Sequence, residues 1–178
     1  TTMDAYFDAW LGHNAPFASD ALTVSPYLGF GSLRDTLSGA LERGKGVFVL
    51  AATSNPEGTS VQRATYGDKT LAKSIWDSLG EINSVTASGN AKLGSLGAVL
   101  GATLNLQSFG LGEVLDGQVR SATPILAPGF GAQGADLSAS RQLFGAAAAQ
   151  VVHSVSRSVL QAGAAGLAKS IETAVPFS

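Results

Sequence analysis

The amino-acid sequence predicts an α/β fold, a partial (β/α)8 barrel, from three features. Short apolar runs alternate with helical patterns along the 178-residue chain, which favours a parallel sheet whose strands are joined by helices. Val47–Ala52 is a continuous apolar run, typical of a strand buried on both faces. Each β/α unit takes roughly 27 residues, close to the length of one unit in a complete eight-unit barrel.

In the first half of the chain, the spacing of apolar residues predicts the elements. Met3, Tyr6, Phe7, Trp10 and Leu11 recur three and four positions apart, which indicates an amphipathic helix. The elements predicted after it are the strand Ala21–Ser25, a helix with Leu33, Leu37 and Leu41 on one face, the strand Val47–Ala52 and, beyond a long loop, the helix Leu71–Ile82.

The second half repeats the same order of strand and helix. Its predicted elements are the strand Leu96–Leu100, a helical or loop segment over Asn105–Leu115, the strand Thr123–Leu126, the helix Ser138–Ala146, the strand Gln150–Val155 and the helix Ala164–Ala174. We expect residues 1–178 to form a single domain, which is the usual organisation for a chain of this length.

Five predicted strands cannot close an eight-stranded barrel, and an opened barrel would expose two strand edges. Two alternatives follow: a doubly wound open sheet, or a barrel whose other strands come from residues upstream of Thr1. We favour the second, because the chain starts at the N-terminus of a predicted helix, where a preceding strand would end.

Composition and charge narrow the functional classes. The net charge of −2 and the lack of a basic run argue against nucleic acid as a partner. No apolar run reaches the roughly 18 residues of a membrane span, and the first residues lack signal-peptide features, so we expect a cytoplasmic location without membrane contact. The chain has no cysteine and no cluster of metal-ligating residues, and both His13 and His153 are predicted to be structural.

A phosphate-binding site is predicted at the ends of the last two strands. Pro128–Gly134 reads Pro-Gly-Phe-Gly-Ala-Gln-Gly, so its glycines let the backbone approach an anion closely and Gln133 can donate an amide hydrogen bond. Ser156–Arg157 opens the next helix, where an arginine fork and helix N-terminal N–H groups can bind phosphate oxygens. Either loop alone could be a turn or a solvated charge, but successive strand ends together favour an anion site.

A second polar loop, Thr53–Gly58, follows the strand Val47–Ala52. Its hydroxyl and amide groups suit the edge of a polar heterocycle, although such a segment is also typical of a capped turn. No pair of side chains in the sequence has the spacing of a nucleophile and its base or of an acid and base. The residues therefore predict a binding site without a recognisable catalytic group.

The two phosphate-site segments resemble the phosphate-binding loops of orotidine 5′-phosphate decarboxylase. Val24–Gly29 and Ala52–Pro56 are similar to the corresponding strand ends of the bacterial long form of that family, and the similarity runs in order along essentially the whole chain. The resemblance implies a TIM (β/α)8 barrel of which this chain supplies about strands four to eight, without the first three β/α units. It also implies a homodimer with both active sites at the subunit interface.

The resemblance implies a role for individual residues. Pro128, Gln133 and Arg157 would bind the substrate phosphate with backbone help near Gly131, and Ser54 would hydrogen-bond the pyrimidine edge. Thr2 would reach across the dimer to the partner's ribose. The catalytic motif of the family, Asp-x-Lys-x-x-Asp, does not occur in this sequence. The resemblance places that motif and a further lysine upstream of Thr1, so no catalytic residue is expected in this chain, which alone would be inactive.

The activity implied is the cofactor-free decarboxylation of orotidine 5′-monophosphate to UMP, the last step of pyrimidine nucleotide synthesis. Two alternatives remain open from the sequence. Another phosphate-binding barrel enzyme, such as a sugar-phosphate aldolase or synthase, would share the phosphate site around Gln133 and Arg157 but not the Ser54 contact. A module that binds a ligand or assembles subunits without catalysis would also explain a binding site lacking catalytic groups.

Overall fold

A computed structural model describes residues 2–86, 93–116 and 122–174. The α-helices are α1 (Thr2–Leu11), α2 (Arg34–Glu42), α3 (Gly58–Gln62), α4 (Leu71–Thr86), α5 (Gly112–Leu115), α6 (Ser140–Phe144), α7 (Arg157–Leu160) and α8 (Gly163–Ala174). The strands are β1 (Ala21–Val24), β2 (Gly46–Ala52), β3 (Thr65–Tyr66), β4 (Lys69–Thr70), β5 (Leu96–Leu100), β6 (Ile125–Pro128) and β7 (Val151–Ser154). Short 3-10 turns lie at Phe30–Leu33, Leu106–Phe109, Leu137–Ala139 and Gly145–Gln150.

The main sheet has five strands in the order β1-β2-β5-β6-β7, and every pair is parallel. The strands follow chain order apart from β3 and β4, which form a separate hairpin. A doubly wound sheet reverses its strand order at a switch point, and this sheet has no reversal. The sequential order is that of an arc of a (β/α) barrel, so the doubly wound alternative is wrong.

The centre of the core is β5, whose five residues are all buried. Gly97 within it is required by packing, because an added side-chain carbon would overlap the Phe48 ring of β2 and lie 2.7 Å from the Pro124 carbonyl oxygen. Helix α4 covers this part of the sheet with Ile75, Trp76 and Leu79, all of which are buried. The periodicity that predicted α4 therefore corresponds to its buried face.

A buried polar side chain fixes the start of β5. Asn83 on α4 donates from Nδ2 to the Leu96 carbonyl at 2.7 Å and accepts at Oδ1 from the Leu96 N–H at 3.2 Å. The same amide nitrogen lies 3.2 Å from the Thr123 hydroxyl, just before β6. One side chain thus ties a helix to the beginnings of two strands.

One predicted strand lies two residues too early. The prediction was Thr123–Leu126, whereas β6 runs over Ile125–Pro128. Pro124 has no N–H to donate, and its carbonyl accepts from the Ala98 N–H at 2.9 Å, so paired residues begin with Ile125 opposite Ala98. The shift places Pro128 at the end of the strand rather than in the loop.

Other segments contain shorter or additional helices and strands compared with the prediction. The long loop before α4 contains α3 and the β3–β4 hairpin. The predicted helix Ser138–Ala146 is instead a 3-10 turn followed by α6, which ends where Gly145 adopts φ of 53°. The strand predicted over Gln150–Val155 is the shorter β7. The remaining predicted helices and strands match α1, β1, α2, β2, α4, β5 and α8 within a few residues.

The outer strands of the sheet are β1 and β7, and apolar side chains near β7 are exposed. Val152 of β7 is 46% exposed, Leu160 of α7 is 67% exposed and Ile171 of α8 is 44% exposed. Helix α8 has no buried residue in the part of the chain that the structure describes. None of the described helices is both long enough and apolar enough to cross a membrane.

Candidate phosphate and nucleotide site

The candidate site begins where the neighbouring strands β6 and β7 end. Pro128 is the last residue of β6 and is the register partner of Ser154, the last residue of β7. The loops that follow these residues therefore leave the sheet side by side. This edge holds the C-terminal ends of the strands, where (β/α) barrels bind their ligands.

The loop after β6 is a tight turn that depends on glycine. Gly129, Gly131 and Gly134 have φ of 122°, 69° and 106°, values that other residues rarely adopt. The Gly131 N–H donates to the Ala135 carbonyl at 2.8 Å, and the Ala135 N–H donates to the Gly129 carbonyl at 3.1 Å. The backbone hydrogen bonds close the turn on itself.

This closed turn determines which backbone N–H groups of the loop remain available to an anion. Because the Gly131 N–H is already bonded within the turn, it is not available to a phosphate. The backbone N–H groups of Ala132 and Gln133, at the tip of the turn, have no partner among the described residues. If the backbone binds an anion here, these two amides are the available donors.

Gly131 serves instead as the point where the two loops meet. A side-chain carbon added at Gly131 would overlap the Ser158 hydroxyl of α7 and lie 3.4 Å from Val155 Cγ1. Gly129 is similarly close to the loop after the adjacent strand β5, since a side-chain carbon added at Gly129 would lie 3.3 Å from the Ala102 backbone nitrogen. The glycines thus let three consecutive strand-end loops pack against one another.

A cavity of about 70 Å³ lies between the loops after β6 and β7. It unites three predicted phosphate-site residues, Pro128, Gln133 and Arg157. The other lining residues are Gly129, Phe130, Ala132, Ser154 and Ser156. Arg157 is exposed, its side chain has no hydrogen bond or ion pair among the described residues, and no lining residue is acidic. The guanidinium is therefore available to an anion.

Gly131 and Ser156–Arg157 lie in different parts of this region. Gly131 does not line the 70 Å³ cavity but lies on a neighbouring open groove of about 720 Å³ between the β6 loop and α8. Ser156–Arg157 opens a helix as predicted: Ser156 precedes α7, which begins at Arg157 and is a single turn of four residues. A helix that short has little macrodipole, so an anion here would depend mainly on side chains and loop amides.

Ser54 lies at the same edge of the sheet, two residues beyond the end of β2, and is exposed. β2 and β7 are separated by three interstrand spacings. At about 4.8 Å each, these amount to roughly 14 Å along the sheet and less across its curve. A ribose could bridge a phosphate at Arg157 and a base edge at Ser54.

The loop that carries Ser54 is tied to α3 by hydrogen bonds that the sequence did not predict. The Thr53 N–H donates to Gln62 Oε1 at 2.9 Å, and Gln62 Nε2 donates to Thr53 Oγ1 at 2.8 Å. The sequence gave no signal for this contact, because α3 was itself interpreted as loop. Ser154 was missed for a related reason, since its place opposite Pro128 follows from the strand register.

The structure does not bring Thr2 to the other predicted site residues. Thr2 is the first residue of α1, is exposed and lines neither cavity. The contact predicted for it is with a ribose bound by a partner subunit, and it stays a prediction.

His153 of β7 contacts both the loop after β6 and the start of α6. Its ring centroid lies 5.0 Å from that of Phe130, and its Nε2 lies 2.7 Å from the Ser140 hydroxyl at the start of α6. Burial lowers the pKa of His153, which favours the neutral imidazole. His13 is an exposed loop residue. No group of three or more His, Asp or Glu residues within the described ranges could hold a metal ion.

A charged cluster connects α4 to its neighbours. Asp77 accepts from Lys69 at 2.7 Å and from Lys73, and Lys73 also lies 2.8 Å from Glu113 of α5. Burial would raise the pKa of Asp77, but the hydrogen bonds and charges of the two lysines outweigh it and lower that pKa. Since the cluster ties the hairpin and α5 to α4, we assign it a structural role.

Comparisons with known proteins identify relatives along nearly the whole chain. A family model described as Orotidine 5′-phosphate decarboxylase / HUMPS family matches residues 1–170. A Streptomyces coelicolor protein named orotidine 5′-phosphate decarboxylase is 48% identical over 164 residues, which are 92% of this chain and 55% of that protein. A Salinispora arenicola protein with the same name is 45% identical over an equal share of both chains.

Solved structures agree with these sequence relatives. A Streptomyces avermitilis crystal structure assigned as an orotidine 5′-phosphate decarboxylase matches 97% of this chain and 57% of its own at a TM-score of 0.83 and 45% identity. Leishmania donovani UMP synthase matches 97% of this chain and 35% of its own at a TM-score of 0.68 and 28% identity. The chain spans about half the length of the curated relatives it matches. The partial barrel predicted from the sequence is confirmed.

Proposed function

The chain belongs to the orotidine 5′-phosphate decarboxylase / HUMPS family, and we propose that the complete protein decarboxylates orotidine 5′-monophosphate to UMP. The observation that carries this proposal is the cavity that unites Pro128, Gln133 and Arg157 at the ends of two adjacent strands. Within the part of the chain that the structure describes, the exposed Arg157 guanidinium and the Ala132 and Gln133 amides have no protein partner, so they offer donors suited to a phosphate group.

The phosphate of this substrate lies away from the carbon that loses CO₂. Binding it at Arg157 and Gln133 therefore contributes to catalysis only if that binding energy is used to order the site around the reacting ring. Ser54, two residues beyond the end of β2, is proposed to hydrogen-bond the pyrimidine edge. The two contacts together would hold the nucleotide at both ends across the strand ends.

The chain's described residues are assigned binding roles rather than proton transfer. The sequence contains no Asp-x-Lys-x-x-Asp motif, so we propose that the aspartate and lysine that act on the substrate carboxylate lie elsewhere in the complete protein. We further propose a cytoplasmic homodimer with shared active sites, in which Thr2 approaches the ribose bound by the partner. No cofactor is part of the proposed reaction.

The test is ultraviolet monitoring of orotidine 5′-monophosphate turnover by the complete protein, with orotidine, which lacks the phosphate, as the comparison substrate. We expect conversion of the nucleotide to UMP without added cofactor and a much lower kcat/KM for orotidine. Equal kcat/KM for the two substrates would contradict the phosphate site, and no conversion of either would contradict the proposed activity.

A further inference from the structure

The strongest further observation concerns Gln62, the last residue of α3. Its side-chain amide makes two hydrogen bonds with one residue, accepting from the Thr53 backbone N–H at 2.9 Å and donating to Thr53 Oγ1 at 2.8 Å. Both lengths lie in the range of good hydrogen bonds, and both residues are partly buried. Thr53 is held at its backbone and its side chain by a single planar group.

This contact lies just beyond the last residue of β2 that is hydrogen-bonded within the sheet. Ala52 is the last residue of β2, and its carbonyl accepts from the Gly101 N–H at 2.9 Å. Thr53 has no strand partner, and the next residue is the exposed Ser54. The direction in which the chain leaves the sheet, and thus the position of Ser54, therefore depends on how Thr53 is held.

The turn between Thr53 and Gln62 brings the side-chain amide of Gln62 back to Thr53. The Gly58 N–H donates to the Asn55 carbonyl at 3.0 Å, which turns the chain back and starts α3. A side-chain carbon added at Gly58 would lie 3.1 Å from Gln62 Nε2 and 3.5 Å from Thr53 Oγ1, closer to the amide than most side chains pack. Glycine at this position leaves room for the pair of hydrogen bonds.

We propose that Gln62 is a positioning residue that fixes Ser54 for its contact with the pyrimidine through its two hydrogen bonds to Thr53. This inference rests on the proposed function, because it assigns Ser54 to the base end of a bound nucleotide. Gln62 itself does not touch the ligand. Its loss should weaken recognition of the base while leaving the phosphate site at Arg157 unchanged.

The experiment compares the affinities of UMP and ribose 5-phosphate for the complete protein and its variants by calorimetric titration. Gln62→Leu removes both hydrogen bonds at nearly constant volume, and we expect its affinity for UMP to fall about tenfold, or about 1.4 kcal/mol. Its affinity for ribose 5-phosphate should stay within about twofold of the wild-type value, an energy of about 0.4 kcal/mol.

Graded variants separate this role from a general loss of stability. Thr53→Val removes the hydroxyl but keeps the backbone N–H, so its loss of UMP affinity should be smaller than that of Gln62→Leu. Gln62→Glu keeps an acceptor for the Thr53 N–H and can accept from the Thr53 hydroxyl, so it should restore most of the affinity. Gln142→Leu, at an exposed position of α6, is the matched control and should change neither affinity.

A double-mutant cycle with Ser54→Ala asks whether Gln62 acts through Ser54. If it does, Gln62→Leu should cost almost nothing further once Ser54 has lost its hydroxyl. Additive losses, or equal losses for UMP and ribose 5-phosphate, would overturn the inference. If Gln62→Leu fails to fold, Thr53→Val in the same cycle decides by the same criteria.

The wild-type measurement distinguishes a failure of this inference from a failure of the proposed function. A wild-type protein that binds UMP no better than ribose 5-phosphate would overturn the proposed function and this inference with it. Clear wild-type preference for UMP, retained in full by Gln62→Leu, would overturn only the positioning role of Gln62.

Discussion

Replacing Arg157 with alanine is the sharpest perturbation of the proposed phosphate site. Arg157 lines the 70 Å³ cavity, is exposed and has no ion pair among the described residues. The substitution therefore breaks no described side-chain contact of the protein itself, and any loss of affinity can be assigned to the ligand.

The expected magnitude follows from the chemistry of the contact. A hydrogen bond to a charged group contributes about 1.5–3 kcal/mol, which corresponds to a rise in the Kd for UMP of roughly 10- to 150-fold at 1.4 kcal/mol per tenfold. Because the site is exposed, salt should screen the contact and reduce the difference between wild type and variant. Arg157→Lys keeps the charge but loses the planar fork, so its Kd should lie between the two.

Calorimetric titration of the complete protein with UMP and with uridine, which lacks the phosphate, measures this effect. Arg157→Ala should weaken UMP binding and leave uridine binding unchanged. Arg34→Ala, at an exposed position on α2, is the control and should change neither Kd. An unchanged UMP affinity in Arg157→Ala, or an equal loss for uridine, would refute the assignment of Arg157 to the phosphate.

Three further predictions concern the elements that hold the site. Asn83→Ala leaves the buried Leu96 N–H and carbonyl without their side-chain partner and should lower the free energy of unfolding, measured by urea denaturation, by about 2–4 kcal/mol. The control Ser84→Ala, at an exposed position of the same helix, should change this free energy very little. Gly131→Ala should lower UMP affinity and stability more than Gly44→Ala, which has a similar φ of 63° but open space around it; equal losses would contradict packing between the two loops. The lowered pKa of Asp77 means that its ion pairs stabilise the folded state above the ordinary carboxyl pKa of about 4 and that this contribution is lost as pH falls through the lowered value. Asp77→Asn should therefore lower the free energy of unfolding at pH 7 but much less at pH 2. An equal loss of unfolding free energy at both pH values would contradict the assignment.

Elements with strong apolar patterns were predictable from the sequence. β2 and β5 are continuous apolar runs, and α4 has its buried residues at helical spacing, so hydrophobic periodicity alone locates them. The two loops of the candidate phosphate site were also predictable, because Gly129 and Arg157 come just after apolar runs and the strands are parallel. Local composition thus located the residues that share the small cavity.

The rest depends on contacts between residues distant in sequence. The start of β6 shifts by two residues because the Pro124 carbonyl pairs with β5 while its nitrogen cannot donate. The closed turn that uses up the Gly131 N–H arises from a bond to Ala135 that the glycine pattern does not reveal. The hydrogen bonds of Gln62 to Thr53 require α3, a five-residue helix too short to show helical periodicity.

The position of a bound nucleotide tests the central claim most directly. A crystal structure of the complete protein with UMP is predicted to place the phosphate in the 70 Å³ cavity, within hydrogen-bond distance of the Arg157 guanidinium and the Gln133 amide groups, with the pyrimidine edge at the Ser54 hydroxyl. A phosphate bound instead in the 720 Å³ groove beside Lys169 of α8, or a base remote from Ser54, would contradict it.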